Sequence, residues 1–332
     1  MNAVDRTPDT ECAVVVVGSY VQDHVWLTDR FPETGQTRRA LGFSSGPGGK
    51  GFNQAIAALR QRGKVVFIGA LGDDALAMSA RDYADQEGLP CRWHTCADLP
   101  TAAASILVDA QGANRILVSL AANEALDIDF LRAQEPLFAG ARVLLVQLES
   151  NLDAVRAALD MGRRHGLLCM LNPAPVHADL DAALLRTCDL ITPNEHEFCE
   201  LLQRLADRQV RADSLATLDE AALHALCRSL DVASVVVTLG GAGCFVSHAE
   251  CQRGDGEPYY RVAAEPVHTV DTVGAGDAFN GALATELSRP DPPAFRDAVR
   301  WANRVAGMST EKVGASIAMP TREAVAARFG PI

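Results

Sequence analysis

The chain's 332 residues allow one large domain or two ordinary ones, with length enough for a substantial core. At 48% hydrophobic and 22% charged residues it falls outside the disordered class, which combines low hydrophobicity with high charge. Lys+Arg 30 against Asp+Glu 42 gives a formal net charge of -12, which argues against nucleic acid, whose backbone is held by clustered Lys and Arg, but not against a small anion bound at one local site.

Along the chain, residues 1–11 are polar and acidic, and the apolar run 13–17 is too short for a signal segment or a membrane span. The expectation is a soluble, cytoplasmic protein with no membrane partner. Nine scattered cysteines without a C-x-x-C pair suggest neither zinc nor disulfides and fit reduced thiols. The run 13–17 reads as the first strand. Residues 25–45 then break the pattern, and a helix is expected over 51–61, with Phe52, Ile56 and Leu59 on one face. A strand at 65–70 and a helix at 74–87 follow. Residues 102–119 break the pattern again, reading as a hairpin of 104–108 and 115–119 around the turn 109–112. Further strands are expected at 142–148, 167–171, 190–192 and 234–238, and helices at 152–165, 195–206 and 219–230. Continuous apolar runs such as Val14–Val17 and Val143–Val146 are those of strands buried on both faces, and the alternation predicts an α/β fold with a parallel, helix-covered sheet. The two interruptions read as antiparallel strands forming a small β subdomain within one domain.

Two glycine clusters carry chemistry. Gly46-Pro47-Gly48-Gly49-Lys50-Gly51 formally satisfies G-x-G-x-x-G, but a dinucleotide fingerprint requires a strand directly before it, and residues 38–45 are polar and glycine-containing. A P-loop fails because Gly51, not Ser or Thr, follows Lys50. The cluster still opens a helix, whose free amides, with Lys50 and Asn53, suit a polar ligand. The second cluster, 271–281, reads Asp-Thr-Val-Gly-Ala-Gly-Asp-Ala-Phe-Asn-Gly and precedes a helix bearing Phe279, Leu283 and Leu287. Amides at Gly274, Ala275 and Gly276 would point from the helix start, where the dipole favours negative charge. A cap explains Asp277 alone, but not a second aspartate six residues before it. A carboxylate beside an amide nest suits proton removal from a hydroxyl while a phosphoryl group is held.

Seven collinear segments, Val17-Gly18-Ser19, residues 48–55, Gln147-Leu148-Glu149, Asn172-Pro173-Ala174-Pro175, Thr192-Pro193-Asn194-Glu195, Thr238-Leu239-Gly240 and residues 271–281, together resemble the ribokinase-like (PfkB-type) carbohydrate kinases, in particular the ribokinase branch. The resemblance implies a three-layer α/β/α domain over 12–330, with a mostly parallel sheet and a β-sheet lid from about 24–46 and 102–122. It implies ATP-dependent phosphorylation of the primary hydroxyl of a pentose, ribose first. Asp277 matches the base and Gly274, Ala275 and Gly276 the anion hole. Asp23, Gly49, Lys50, Gly51, Asn53 and Glu149 match the sugar site. Asn194, Thr238, Gly240, Gly241, Gly243 and Asn303 match the ATP site, and Glu197 completes an N-x-x-E element tied to Mg²⁺ and phosphate. Asp271 and the carbonyls of Val273, Ser309, Lys312 and Gly314 match a K⁺ loop. A homodimer is also implied.

Two positions depart from the pattern. Val21 stands where ribokinases usually have Asn, which brings in 2-deoxyribose or a nucleoside as acceptor, as does the bulk of Phe52. Ala318 replaces a Ser common near the cation. A non-catalytic sugar sensor on the same fold is the alternative of another class. Taken singly, Asp23 could cap a turn, Lys50 could be a surface charge and Glu149 a helix-start charge. His24, His177 and His196 have no metal-ligand spacing, Cys244 and Cys251 read as core or loop thiols, and Trp301 as helix packing.

Overall fold

The computed structural model describes residues 12–250 and 254–332; the expectations for the first 11 residues and for Cys251 lie outside the described residues. The chain forms strands β1 (Val14–Val17), β2 (Val21–Leu27), β3 (Gly42–Gly48), β4 (Val65–Gly72), β5 (Cys91–Cys96), β6 (Ala103–Val108) and β7 (Asn114–Ser119) in its first half. The second half adds β8 (Val143–Val146), β9 (Leu168–Leu171), β10 (Leu190–Ile191), β11 (Ser234–Thr238), β12 (Cys244–His248) and β13 (Tyr259–Val262). Among the described residues, the large sheet has the order β13-β12-β11-β10-β9-β8-β1-β4-β5. It is parallel from β5 to β11 and ends in two antiparallel pairings.

Period-2 alternation explains the unbroken valines of β1. Val15 and Val17 enter one core, with Val155 and Phe198 from the helices Leu152–Arg164 and Glu195–Leu205. Val14 and Val16 enter the other, with Phe52, Leu283 and Trp301 from the helices Lys50–Arg60, Ala275–Leu287 and Phe295–Ser309. Both faces of the strand are dry, so each valine contributes on the order of 1.5–3 kcal/mol by burial.

A second sheet, β3-β2-β6-β7, forms the small subdomain. The pairs β2–β3 and β6–β7 are antiparallel, as expected, but the central pair β2–β6 is parallel, with Asp23 opposite Ala104. The expectation of antiparallel strands throughout is therefore corrected. β2 continues from β1 and β6 follows β5; these are parallel strands of one sheet, so both chains leave it in the same direction. β2 also begins at Val21, earlier than the expected boundary, which places Asp23 within the strand.

Candidate active site

Gly274, at φ +76°, is the N-cap of the helix Ala275–Leu287, a conformation that costs a glycine little. Asp277 sits buried in the first turn, where the helix start favours a carboxylate. Asn53 and Gln54, from the first turn of the helix Lys50–Arg60, donate to its two oxygens at 3.0 and 2.9 Å. Burial pushes the Asp277 carboxyl up to about 6, against the opposing pull of Lys50 and these amides. Lys50 is half-buried, and desolvation disfavours its charge, but Asp277, Glu149 and Glu197 outweigh this and raise its pKa. It is a cation among carboxylates, not a surface charge.

Behind Asp277 runs a chain of buried polar groups that sequence reasoning did not assign. Gln54 also donates to Asn172 Oδ1 at 3.0 Å and accepts from Gln147 at 2.6 Å. Asn172 donates to the Thr192 carbonyl, and the Thr192 hydroxyl to Asn280 Oδ1 at 2.5 Å. Asn280 returns to the carbonyl of Gly276 at 2.8 Å. The chain thus runs from the carboxylate through the ends of β9 and β10 to the Gly274–Gly276 turn, with Gln147 Oε1 the buried atom left without a partner. Each of its members stands within one of the seven collinear segments, but their joining into one network follows only from the tertiary contacts.

Toward the second sheet, Ser19 Oγ and the Lys50 amide both donate to Glu149 Oε2, at 2.7 and 2.9 Å. Asp23 reaches the same space from β2: burial first, then the charges of Glu149 and Asp277, raise its carboxyl to about 7. Gly49, at φ +88°, makes the turn into the helix, and a Cβ there would lie 2.6 Å from Val21 N. A Cβ on Gly51 would lie 2.7 Å from both Gly18 Cα and Ser19 N. Asp23, Gly49, Lys50, Gly51, Asn53, Glu149 and Asp277 are therefore brought together, and Asn53 Oδ1 is buried without a partner there.

The other expected residues make contacts of their own. Asn194 caps the helix Glu195–Leu205 in a reciprocal box with Glu197, whose two oxygens accept from Asn194 N and Nδ2 at 2.9 Å each. Capping alone accounts for that spacing, yet Glu197 is half-buried and burial raises its carboxyl, with Lys50 and Asp277 both felt there. Thr238 bridges to Asn194. Gly240 and Gly241 are exposed, while Gly243, at φ +89°, packs against the Val262 carbonyl and closes the turn into β12. The Asn303 amide is tied to that carbonyl at 3.2 Å and to Cys244. Asp271 accepts from Val273 N at 3.0 Å and Gly314 N at 2.9 Å, joining the two loops expected to hold a cation. Ser309 is buried and Lys312 exposed beside them. Trp301 is buried packing, and the eight described cysteines are all free.

No described helix is long and apolar enough to cross a membrane. Comparison with known proteins gives one consistent answer. The profile described as pfkB family carbohydrate kinase matches residues 13–322. A ribokinase of Schizosaccharomyces pombe is 33% identical over 93% of this chain and 95% of its own. A deoxyribokinase of Salmonella typhi is 34% identical over 82% and 84%. The solved structure of Arabidopsis thaliana ribokinase complexed with ribose and ATP superposes with a TM-score of 0.80 at 25% identity, covering 95% of this chain and 98% of that one. The chain belongs to the pfkB family of carbohydrate kinases.

Proposed function

We propose that this protein transfers the γ-phosphoryl of ATP to the primary hydroxyl of a pentose, ribose first, in the cytoplasm. The observation that carries the reading is Asp277, a buried carboxylate at a helix start, bonded to Asn53 and within the electrostatic reach of Asp23, Lys50 and Glu149. Asp277 would take the hydroxyl proton as the oxygen attacks in line, and the amides of Gly274, Ala275 and Gly276 would stabilise the charge that develops. Asp23, Asn53 and Glu149 would hold sugar hydroxyls, while Asn194, residues 238–243 and Asn303 would bind the nucleotide.

No described group of three or more His, Cys, Asp or Glu side chains could hold a metal. Magnesium in this reading comes with the nucleotide phosphates, where it neutralises charge, and Glu197 is the nearby acceptor. A potassium ion would be held by the carbonyls of Val273, Ser309, Lys312 and Gly314, whose loops Asp271 ties together.

One observation favours 2-deoxyribose as a second acceptor: Val21 is buried with Ala102 and Ala104, and with Ile106 packed on them, so this edge of the lid is apolar. Such a surface discriminates weakly against a missing hydroxyl. ADP release measured with ribose, 2-deoxyribose, fructose and nucleosides tests both readings. Turnover is expected with the two pentoses, and Val21→Asn is expected to shift the preference toward ribose. No sugar-dependent ADP release with any acceptor would favour a sensor instead.

The homodimer is assigned to the outward face of the lid. There the rings of Trp26 and Phe43 lie 5.1 Å apart, with His24 stacked on Phe43 at 6.0 Å. Phe43 is 60% and Leu117 77% exposed, an apolar patch of the kind that marks association surfaces. Light scattering should give twice the 35.3 kDa chain mass for the wild type and the single-chain mass for Phe43→Asp combined with Leu117→Asp. A monomeric wild type would remove the assignment.

A further inference from the structure

Asn123 lies outside the pocket, in the short 3-10 helix Ala121–Ala125 that follows β7, and is 1% exposed. Its side chain engages both main-chain groups of one residue: Oδ1 accepts from Tyr20 N at 3.2 Å, and Nδ2 donates to Tyr20 O at 2.8 Å. Its own carbonyl accepts from Asn151 N at 3.1 Å. Tyr20 is the link between the two sheets. On one side of it Ser19 holds Glu149; on the other β2 begins, carrying Asp23. Asn151 closes the loop after β8 that bears Glu149. One residue therefore joins the first entry into the lid, through its side chain, to the Glu149 loop, through its carbonyl, at the last exit from the lid.

The same turn is backbone-strained. Ala121 has φ +42°, a region its Cβ disfavours and which persists only where neighbours over-determine it. Ala122 N donates to Pro100 O at 3.2 Å, just before the second entry into the lid at β6, and Gln22 N to Ala102 O at 2.8 Å. The lid's hinge segments are thus fastened to one another at this point.

We propose that Asn123 is a positioning residue that sets the spacing of Asp23 and Glu149 by clamping the lid hinge at Tyr20 to the Glu149 loop, and so controls sugar affinity. This rests on the assignment of Asp23 and Glu149 to the sugar. The steady-state kinetics of Asn123→Ala and Asn123→Asp, with the pentose that gives turnover, test it. Asn123→Ala should raise the sugar KM about 10- to 100-fold through misplaced binding groups, leaving the ATP KM and the kcat at saturating sugar near the wild type.

Asn123→Asp adds a readout that general loosening would not produce. A protonated, buried aspartate reproduces both the donor and the acceptor of the amide, whereas the ionised form loses the donor. Its sugar KM relative to wild type should approach one at acid pH and grow as pH rises. The neighbouring charged groups Asp23, Glu124, Glu149 and Asp277 are the same in both proteins, so the ratio isolates the substituted side chain. If Asn123→Ala does not fold, this variant decides alone. An unchanged sugar KM, or kcat and both KM values worsening together, would overturn the proposal. Asp23→Asn separates the two levels: if it leaves the sugar KM untouched, the sugar-site assignment itself fails.

Discussion

Asp277→Asn is expected to lower kcat by about 10³-fold or more, the loss typical of a general base, while sugar and ATP still bind. Two physical effects combine. The amide cannot accept the hydroxyl proton, and its NH2 group would face one of the two donors, Asn53 Nδ2 or Gln54 Nε2, that now hold the carboxylate. The wild type should show the matching pH dependence. Burial lifts Asp277 to about 6, and the base works only when ionised, so kcat/KM should fall roughly tenfold per unit below that point and level off above it. Asp23, lifted to about 7 by burial and its carboxylate neighbours, lies in the same pocket, so the acid limb reports both groups. Near-normal turnover of Asp277→Asn in an initial-rate assay would take this residue out of the mechanism.

Gly51→Ala is expected to be the most damaging single-methyl change near the site. The added Cβ would meet Gly18 Cα and Ser19 N at 2.7 Å each. Both are backbone atoms at the end of a fully buried strand, with no flexible side chain to yield. Overpacking of this kind costs about 1–3 kcal/mol or more. The helix Lys50–Arg60 would have to move away from β1, carrying Asn53 and Gln54 with it, and a displacement near 1 Å can cost about 10² in rate. Thermal unfolding and kcat should therefore fall together. Gly46→Ala is the control, because a Cβ there meets nothing within 4 Å, and its melting temperature should be close to that of wild type. Equal stability of the two variants would refute the close-packing argument.

The central strands were legible because they are dry on both faces. Val14–Val17, Val143–Val146 and residues 235–237 have no polar positions to confuse the pattern, and all are buried. The strands at and next to the sheet's edges were not. β5 reads Cys-Arg-Trp-His-Thr-Cys and is mostly half-buried, so its apolar residues follow no period. β12 ends in a buried His248, held by Ser234 and Asp255, a polar residue in the core that hydropathy counts as surface. The strands of the second sheet were seen as a region, but the parallel β2–β6 pairing depends on where β1 and β5 lie in the other sheet, which no local signal conveys.

The sequence alone determined the layered α/β architecture, the two glycine-led helix starts and the residue types able to handle a phosphoryl group. These follow from hydrophobic period and from backbone conformations such as Gly49 and Gly274, which are local properties of the chain. Tertiary structure alone decided that Asn53 and Asp277, 224 residues apart, share a hydrogen bond, that Lys50 lies among carboxylates, and that Asn123 bonds both main-chain groups of Tyr20. Burial and charge–charge distance are set by which segments pack together; here that packing raises the carboxyl of Asp277 to about 6, as the proposed base requires.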